Sequence, residues 1–306
     1  LNEEEKNMAT TTVSVADVLF GQATPTEPSL RNKIIAFITL QRVAVTTLAL
    51  PVIAGAWALA GGQFNDPRFL IILILAWFLG AVSHVINDIV DTERDKWKWP
   101  LRPLPSGLIS KSTATLYVII VTGVSILIAG LIFNWLAASL ALLAVVLGYV
   151  YVRYTRDAIG HLTVLVGEAV PPLAAWAAIS PATILTPLPW LVVALVMTGG
   201  AAVNFINESF DPAIKAFFVR PRPSMERGLF VISILAMFFV GTVIFFYAKL
   251  FWPYMLVLVA LTVWGLTLVP SLGEQRSPEI AKKAFMSGGT IITVNYLCLA
   301  LFYWIK

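Results

Sequence analysis

The chain has 306 residues, of which 58% are hydrophobic and only 12% charged, with a formal net charge of +4. Soluble domains carry roughly 25% charged residues, so this composition excludes a soluble globular enzyme, a disordered chain and a nucleic-acid-binding module. A mean hydropathy of +0.84 leaves a polytopic membrane protein. Residues 1–30 are polar, with Glu3, Glu4, Glu5, Pro25 and Pro28, and read as a disordered or surface-lying tail. They contain no apolar core of signal-peptide length, so no cleavable secretory signal is expected. Nine apolar segments follow, near 33–60, 69–91, 112–133, 135–152, 162–179, 187–207, 228–248, 252–271 and 287–304. Each is expected to be a membrane-spanning helix, because an isolated strand cannot satisfy its backbone in lipid. The single cysteine, Cys298, excludes an intrachain disulfide.

The loop charges test this count. With nine crossings, seventeen of the 21 Lys and Arg residues fall on the side of the N-terminus. Arg68, Lys249 and Lys306 fall on the other side, and Arg42 lies inside the first span. That asymmetry places the N-terminus and the connections after spans 2, 4, 6 and 8 in the cytoplasm.

Span 2 ends in H84-V-I-N-D-I-V-D-T-E-R-D95. Asp88, Asp91 and Asp95 stand at i, i+3 and i+7, which places all three on one helix face. A carboxylate near the membrane centre costs roughly 2.5–3.5 kcal/mol, and three on one face repel one another. A divalent cation relieves both problems, and oxygen ligands of this kind suit Mg²⁺, which shares its shell with substrate phosphates. The competing reading is a solvated interfacial helix end whose acids pair with Arg94, Lys96 and Lys98. Span 6 ends in N204-F-I-N-E-S-F-D211, where Asn204, Asn207 and Asp211 repeat the spacing and Glu208 joins the same face. By the charge count both helix ends are cytoplasmic. Two oxygen-rich clusters on one side read as a metal clamp on a diphosphate, against the plainer alternative of a polar helix terminus stopped by Pro212. Arg94, Lys96, Lys98, Arg102, Arg156 and Lys215 follow the clusters closely; Arg and Lys bind phosphate, and also simply mark the inside. Arg42 is a site candidate because it is a cation inside a span.

These residues resemble the UbiA-type intramembrane prenyltransferases. N87-D-I-V-D-T-E-R-D95 followed by R102-P-L-P-S-G107 is similar to that family's first signature, NDxxDxxxD and an R-P-x-x-S/A-G turn. The position at the end of span 2 agrees as well, and the resemblance covers the chain from about residue 31. Arg42 stands where the family often has an Arg in its first helix, and Tyr154-Thr155-Arg156 where it has a Tyr-Ser-like stretch and a basic residue.

The resemblance implies an all-α domain over 31–306, with nine transmembrane helices in a UbiA-like bundle around a central lipophilic cavity. It implies Mg²⁺ as cofactor and an isoprenyl diphosphate as substrate, held by Arg42, Asn87, Lys98, Arg102, Tyr154, Arg156 and Lys215. Asp88, Asp91, Asp95, Asn204, Asn207, Glu208 and Asp211 form the expected metal set, with the four Asp residues central to catalysis. The implied reaction is transfer of the prenyl chain to an aromatic or other lipophilic acceptor.

The second motif departs from the family, which usually has Asp where Asn204 or Asn207 stands here. One Asp-rich and one Asn-led cluster also resemble class I terpene cyclases, and some UbiA-superfamily members are cyclases. Cyclisation of the same substrate is therefore an alternative to transfer. A transporter is a third reading, since intramembrane acids also mark ion pathways.

Overall fold

The structure is a computed structural model that describes residues 13–155, 160–209, 223–272 and 278–305. Among the described residues it is entirely helical. The chain divides into two compact units, one formed by residues up to Thr47 with Gly80–Val121, the other by Leu48–Leu79 with residues from Thr122 onward.

In the first unit, the polar N-terminal stretch carries more structure than its composition suggests. Helix α1 (Val15–Leu19) begins with a capping box: the Ser14 hydroxyl accepts from Asp17 N–H, and the Asp17 carboxylate accepts from Ser14 N–H at 3.0 Å. Helix α2 (Leu30–Leu40) is capped by Ser29, whose hydroxyl accepts from Asn32 N–H at 3.1 Å. A short helix α3 (Val43–Leu48) follows, and then α4 (Leu50–Leu59).

The first predicted span is therefore not one continuous helix. Arg42 interrupts it with φ +47°, and a second break at Ala49, a bend of 42°, precedes Pro51. Pro51 lacks an N–H and its ring collides with a preceding turn, so the helix must restart there.

Helix α5 (Pro67–Lys98) and helix α6 (Lys111–Ile132) each run from one unit into the other. The first unit's core joins Ala36 and Leu40 of α2, Val85 of α5, Leu104, Leu108 and Ile109 of the intervening turn, and Ala114 of α6. Burial of the three turn residues folds the R-P-L-P-S-G segment back on itself. Arg102 O accepts from Ser106 N–H at 2.9 Å, and Gly107, at φ +78°, makes the reversal that a Cβ would oppose.

The second unit is a helical bundle. It contains α7 (Trp135–Val150), which continues as a π-helical turn over Tyr151–Thr155, and α8 (Gly160–Ile179). Helices α9 (Pro187–Ser209), α10 (Pro223–Ala248), α11 (Pro253–Thr267) and α12 (Pro278–Trp304) complete it. Helix α8 packs on α4, α7 and α9, and α12 packs on α4, α9 and α11. Trp57, Tyr254, Tyr296, Phe230 and Met237 fill its interior. At Gly55 a Cβ would stand 2.7 Å from the Tyr296 ring, so the small residue lets α4 approach α12.

All nine predicted apolar segments are helical, although the first is interrupted. The described residues contain five helices long and apolar enough to cross a membrane, or six if the bent first segment counts as one span. The apolar parts of α8 (165–179), α9 (187–203) and α11 (253–267) are shorter. Among the described residues, length and composition by themselves thus identify five or six of the nine expected crossings.

Candidate active site

The end of α5 buries the predicted acids. Asp88 is 2% exposed, Asp91 8% and Asp95 1%. This differs from a solvated helix end, because an unpaired ion at such burial would cost several kcal/mol. Each acid instead meets an arginine. Arg42 donates to Asp88 Oδ1 at 2.5 Å, and Arg102 donates to Asp95 Oδ2 at 2.7 Å and lies 3.9 Å from Asp88. Arg94 donates to Asp91 Oδ2 at 2.8 Å and reaches to 3.9 Å from Asp95. Three carboxylates thus face three guanidinium groups within one unit.

Local structure positions each partner. The left-handed backbone at Arg42 carries the chain between α2 and α3 while the guanidinium reaches Asp88. A non-glycine residue holds that conformation at a cost of about 1–3 kcal/mol, which its surroundings must offset. Arg102 is held from below by the Trp99 ring, 5.0 Å from its guanidinium carbon. Burial pushes the Arg102 pKa below its ordinary value and nearby Arg42 adds to that, while Asp88 and Asp95 pull it back up. Thr92, also buried, donates its hydroxyl to Asp88 O at 2.8 Å, which leaves its side chain turned to the helix rather than to the acids.

The pairing leaves orphans. Asn87 Oδ1, Asp88 Oδ2 and Asp95 Oδ1 are buried and accept no hydrogen bond, and the Nε atoms of Arg42, Arg94 and Arg102 donate none. Buried polar atoms are rarely left so, and a cluster of them marks a place for something else to bind. The free oxygens are hard donors of the type Mg²⁺ takes, and the free N–H groups are of the type phosphate oxygens take. Among the described residues no three His, Cys, Asp or Glu side chains close into a ligand set of their own. Mg²⁺ fits without one, because it retains water and substrate oxygens in its shell.

The other predicted residues are less gathered. Tyr154 lies in the second unit, in the π-helical turn, two-thirds exposed with the Arg153 guanidinium over its ring. Lys98 is in the last turn of α5, and Asn204, Asn207 and Glu208 are in the last turns of α9, but their side chains lie outside the described residues. Arg156, Asp211 and Lys215 lie outside the described residues altogether.

Sequence reasoning passed over Glu168. It sits in apolar α8, and a Cβ on Gly200 of α9 would run into its carboxylate. A lone acid within a span was signal enough to flag it.

A sequence model of the UbiA prenyltransferase family matches residues 48–292, most of the chain. The chain belongs to the UbiA prenyltransferase family. It is similar to a digeranylgeranylglyceryl phosphate synthase from Thermococcus sibiricus, 40% identical over 34% of this chain and 38% of the relative. It is also similar to a 4-hydroxybenzoate octaprenyltransferase from an Enterobacter strain, 25% identical over 90% of this chain and 98% of the relative. In the first five curated relatives the match spans 38% to 52% of their length. A solved UbiA homologue from Archaeoglobus fulgidus, bound to DMAPP and Mg²⁺, shares the UbiA fold. It superposes with a TM-score of 0.64 at 18% identity, covering 87% of this chain and 97% of the homologue.

Proposed function

We propose that this UbiA-family protein is an integral-membrane, Mg²⁺-dependent prenyltransferase acting on an isoprenyl diphosphate and a lipophilic acceptor. The observation that carries the reading is the buried cluster of Asp88, Asp95, Arg42 and Arg102 with its unpartnered oxygens and N–H groups. The names of the relatives agree in prenyl transfer and differ in acceptor, one a glyceryl phosphate and one a hydroxybenzoate. An aromatic acceptor is the form we favour.

In this reading Asp88, Asp91 and Asp95 hold Mg²⁺ on one side. Asn204, Asn207, Glu208 and Asp211 hold it on the other, with weaker charge because two of the four are amides. The bound Mg²⁺ neutralises the diphosphate and stabilises the negative charge that develops as it leaves. Arg42 and Arg102 offer the phosphate oxygens the N–H groups that their acids leave open, with Asn87, Lys98, Arg156, Lys215 and Tyr154 completing the grip. The allylic C1–O bond then breaks and its electron pair departs with the diphosphate. The acceptor's nucleophilic atom forms the new bond to C1 and gives up its proton. The apolar walls of a central lipophilic cavity keep water from the carbocation.

The catalytic domain runs from about residue 31, with nine helical segments in the bilayer. The loop charges support a cytoplasmic N-terminus and cytoplasmic acidic helix ends, where a water-soluble diphosphate can enter.

The test is incubation of the purified protein with geranyl, farnesyl and geranylgeranyl diphosphates, with and without Mg²⁺, against a panel of aromatic and glyceryl-phosphate acceptors. Acceptor-dependent prenylated product supports the reading. A cyclic hydrocarbon formed without acceptor would replace transfer by cyclisation. Diphosphate release unaffected by chelator would remove the metal from the account.

A further inference from the structure

The segment Gly21–Thr24 has no place in the reading above, yet it reaches both site arginines. Gly21 follows α1 with φ +70°, a conformation L side chains rarely adopt. A Cβ there would collide with Arg42 Cγ and stand 3.0 Å from Thr39 O. Three residues on, Thr24 is fully buried, and its N–H donates to Leu101 O at 2.8 Å. Leu101 immediately precedes Arg102. Between these two contacts the segment is tied down by Gln22 N–H, which donates to Asp17 O at 2.8 Å, so the capped helix α1 serves as its anchor. A polar stretch with no apolar core of its own is thus fixed at both ends, once against the stem of Arg42 and once against the backbone beside Arg102.

We propose that Gly21–Thr24 is a strap that positions Arg42 and Arg102 for the diphosphate, with Gly21 and the Thr24 N–H as positioning groups. The inference rests on the proposed role of these arginines as diphosphate ligands. Two features of the site call for such a device. Arg42 holds a left-handed backbone that its own sequence disfavours, and close packing of Gly21 against its side chain selects one path for the stem. Arg102 lies on a turn rather than a helix, and the Thr24 bond fixes the peptide before it. Positioning groups held to within a fraction of an ångström are what a pre-formed anion site requires.

The test is calorimetric binding of geranyl diphosphate in the presence of Mg²⁺, with thermal unfolding followed in parallel, on the full chain. Gly21→Asn keeps the turn, because Asn tolerates positive φ, but introduces the Cβ that displaces Arg42. It is expected to weaken binding about tenfold, the effect of losing one charge-assisted hydrogen bond. In an Arg42→Ala background the same Gly21→Asn change is expected to cost nothing further, because it acts through Arg42.

Thr24→Pro removes the N–H that holds Leu101, and it is expected to weaken binding about tenfold in the parent and to cost nothing further in an Arg102→Ala background. Equal losses from Gly21→Asn in both backgrounds would overturn the strap, as would Thr24→Pro binding at the parent level. An Arg42→Ala variant that binds like the parent would instead overturn the diphosphate reading itself, and Gly21→Asn binding at the parent level while Arg42→Ala binds weakly would overturn the strap alone.

Discussion

Around Tyr254 and Tyr296 buried polar groups are neutral and leave one atom, Asn295 Nδ2, without a hydrogen bond, whereas around Asp88 they are ions and leave six. In the first region Tyr254 donates to Asn295 Oδ1 at 3.0 Å, and Tyr296 donates to Val192 O at 3.0 Å. Asn134 likewise donates to Ala177 O at 2.8 Å. Each such bond joins two helices and contributes about 0.5–1.5 kcal/mol to their packing. In the second region three carboxylates are buried against three arginines, at much greater desolvation cost. Replacing such groups by apolar side chains is often neutral or stabilising. Packing explains the tyrosine bonds. It does not explain the ions, and the six atoms without a hydrogen bond among Asn87, Asp88, Asp95, Arg42, Arg94 and Arg102 supply the reason for keeping them. The lesson is that neutral buried pairs joining two helices serve the fold, and a cluster of buried ions with several open atoms serves a ligand.

That contrast can be broken most sharply at the acids. Asp88→Ala and Asp91→Ala are each expected to reduce turnover at least about a hundredfold, the scale of losing a group aimed at developing charge. The protein should still insert, and Asp88→Asn, which keeps the packing, should show the same loss. Turnover within threefold of the parent in all three variants would make the acids structural. Arg102→Lys is expected to cost about ten- to a hundredfold in turnover, because an ammonium cannot span Asp95, Asp88 and a phosphate with a planar fork. A steady-state comparison at saturating Mg²⁺ measures it.

The other side of the contrast predicts the reverse pattern. Tyr254→Phe leaves the buried Asn295 Oδ1 without its donor and should destabilise by about 1–3 kcal/mol. Thermal unfolding in detergent should therefore shift down by several degrees while turnover stays at the parent level. Glu93→Gln is expected to change neither, since Glu93 is 70% exposed and meets Lys96 and Lys111 in water.

The sequence made the acid face of α5 legible because helix periodicity and charge suffice to find it. The turn after it was legible for a different reason: Pro103, Pro105 and Gly107 leave the backbone few choices, and Leu104 and Leu108 need a core. The arginine pairing was only half legible. Arg94 lies three residues from Asp91 on the same helix, so local spacing gives that pair. Arg42 lies 46 residues from Asp88, and its left-handed backbone contradicts every local preference, so only tertiary contacts select it. The N-terminal strap was hidden by composition. A polar segment reads as a tail unless a fold buries it, and Thr24 is buried by Leu101, a partner far away in sequence. The breaks at Arg42 and Ala49 inside the first span were hidden, because apolar length alone carries no mark of them.

The central claim is that the open ion cluster at the end of α5 is where Mg²⁺ and a diphosphate bind together. The most direct measurement is calorimetric titration of geranyl diphosphate into the parent and into Asp88→Asn, each with Mg²⁺ and with excess EDTA. The account predicts saturable binding by the parent in Mg²⁺, loss of that binding in chelator, and binding at least about tenfold weaker in Asp88→Asn. Equal affinity in all four titrations would contradict it.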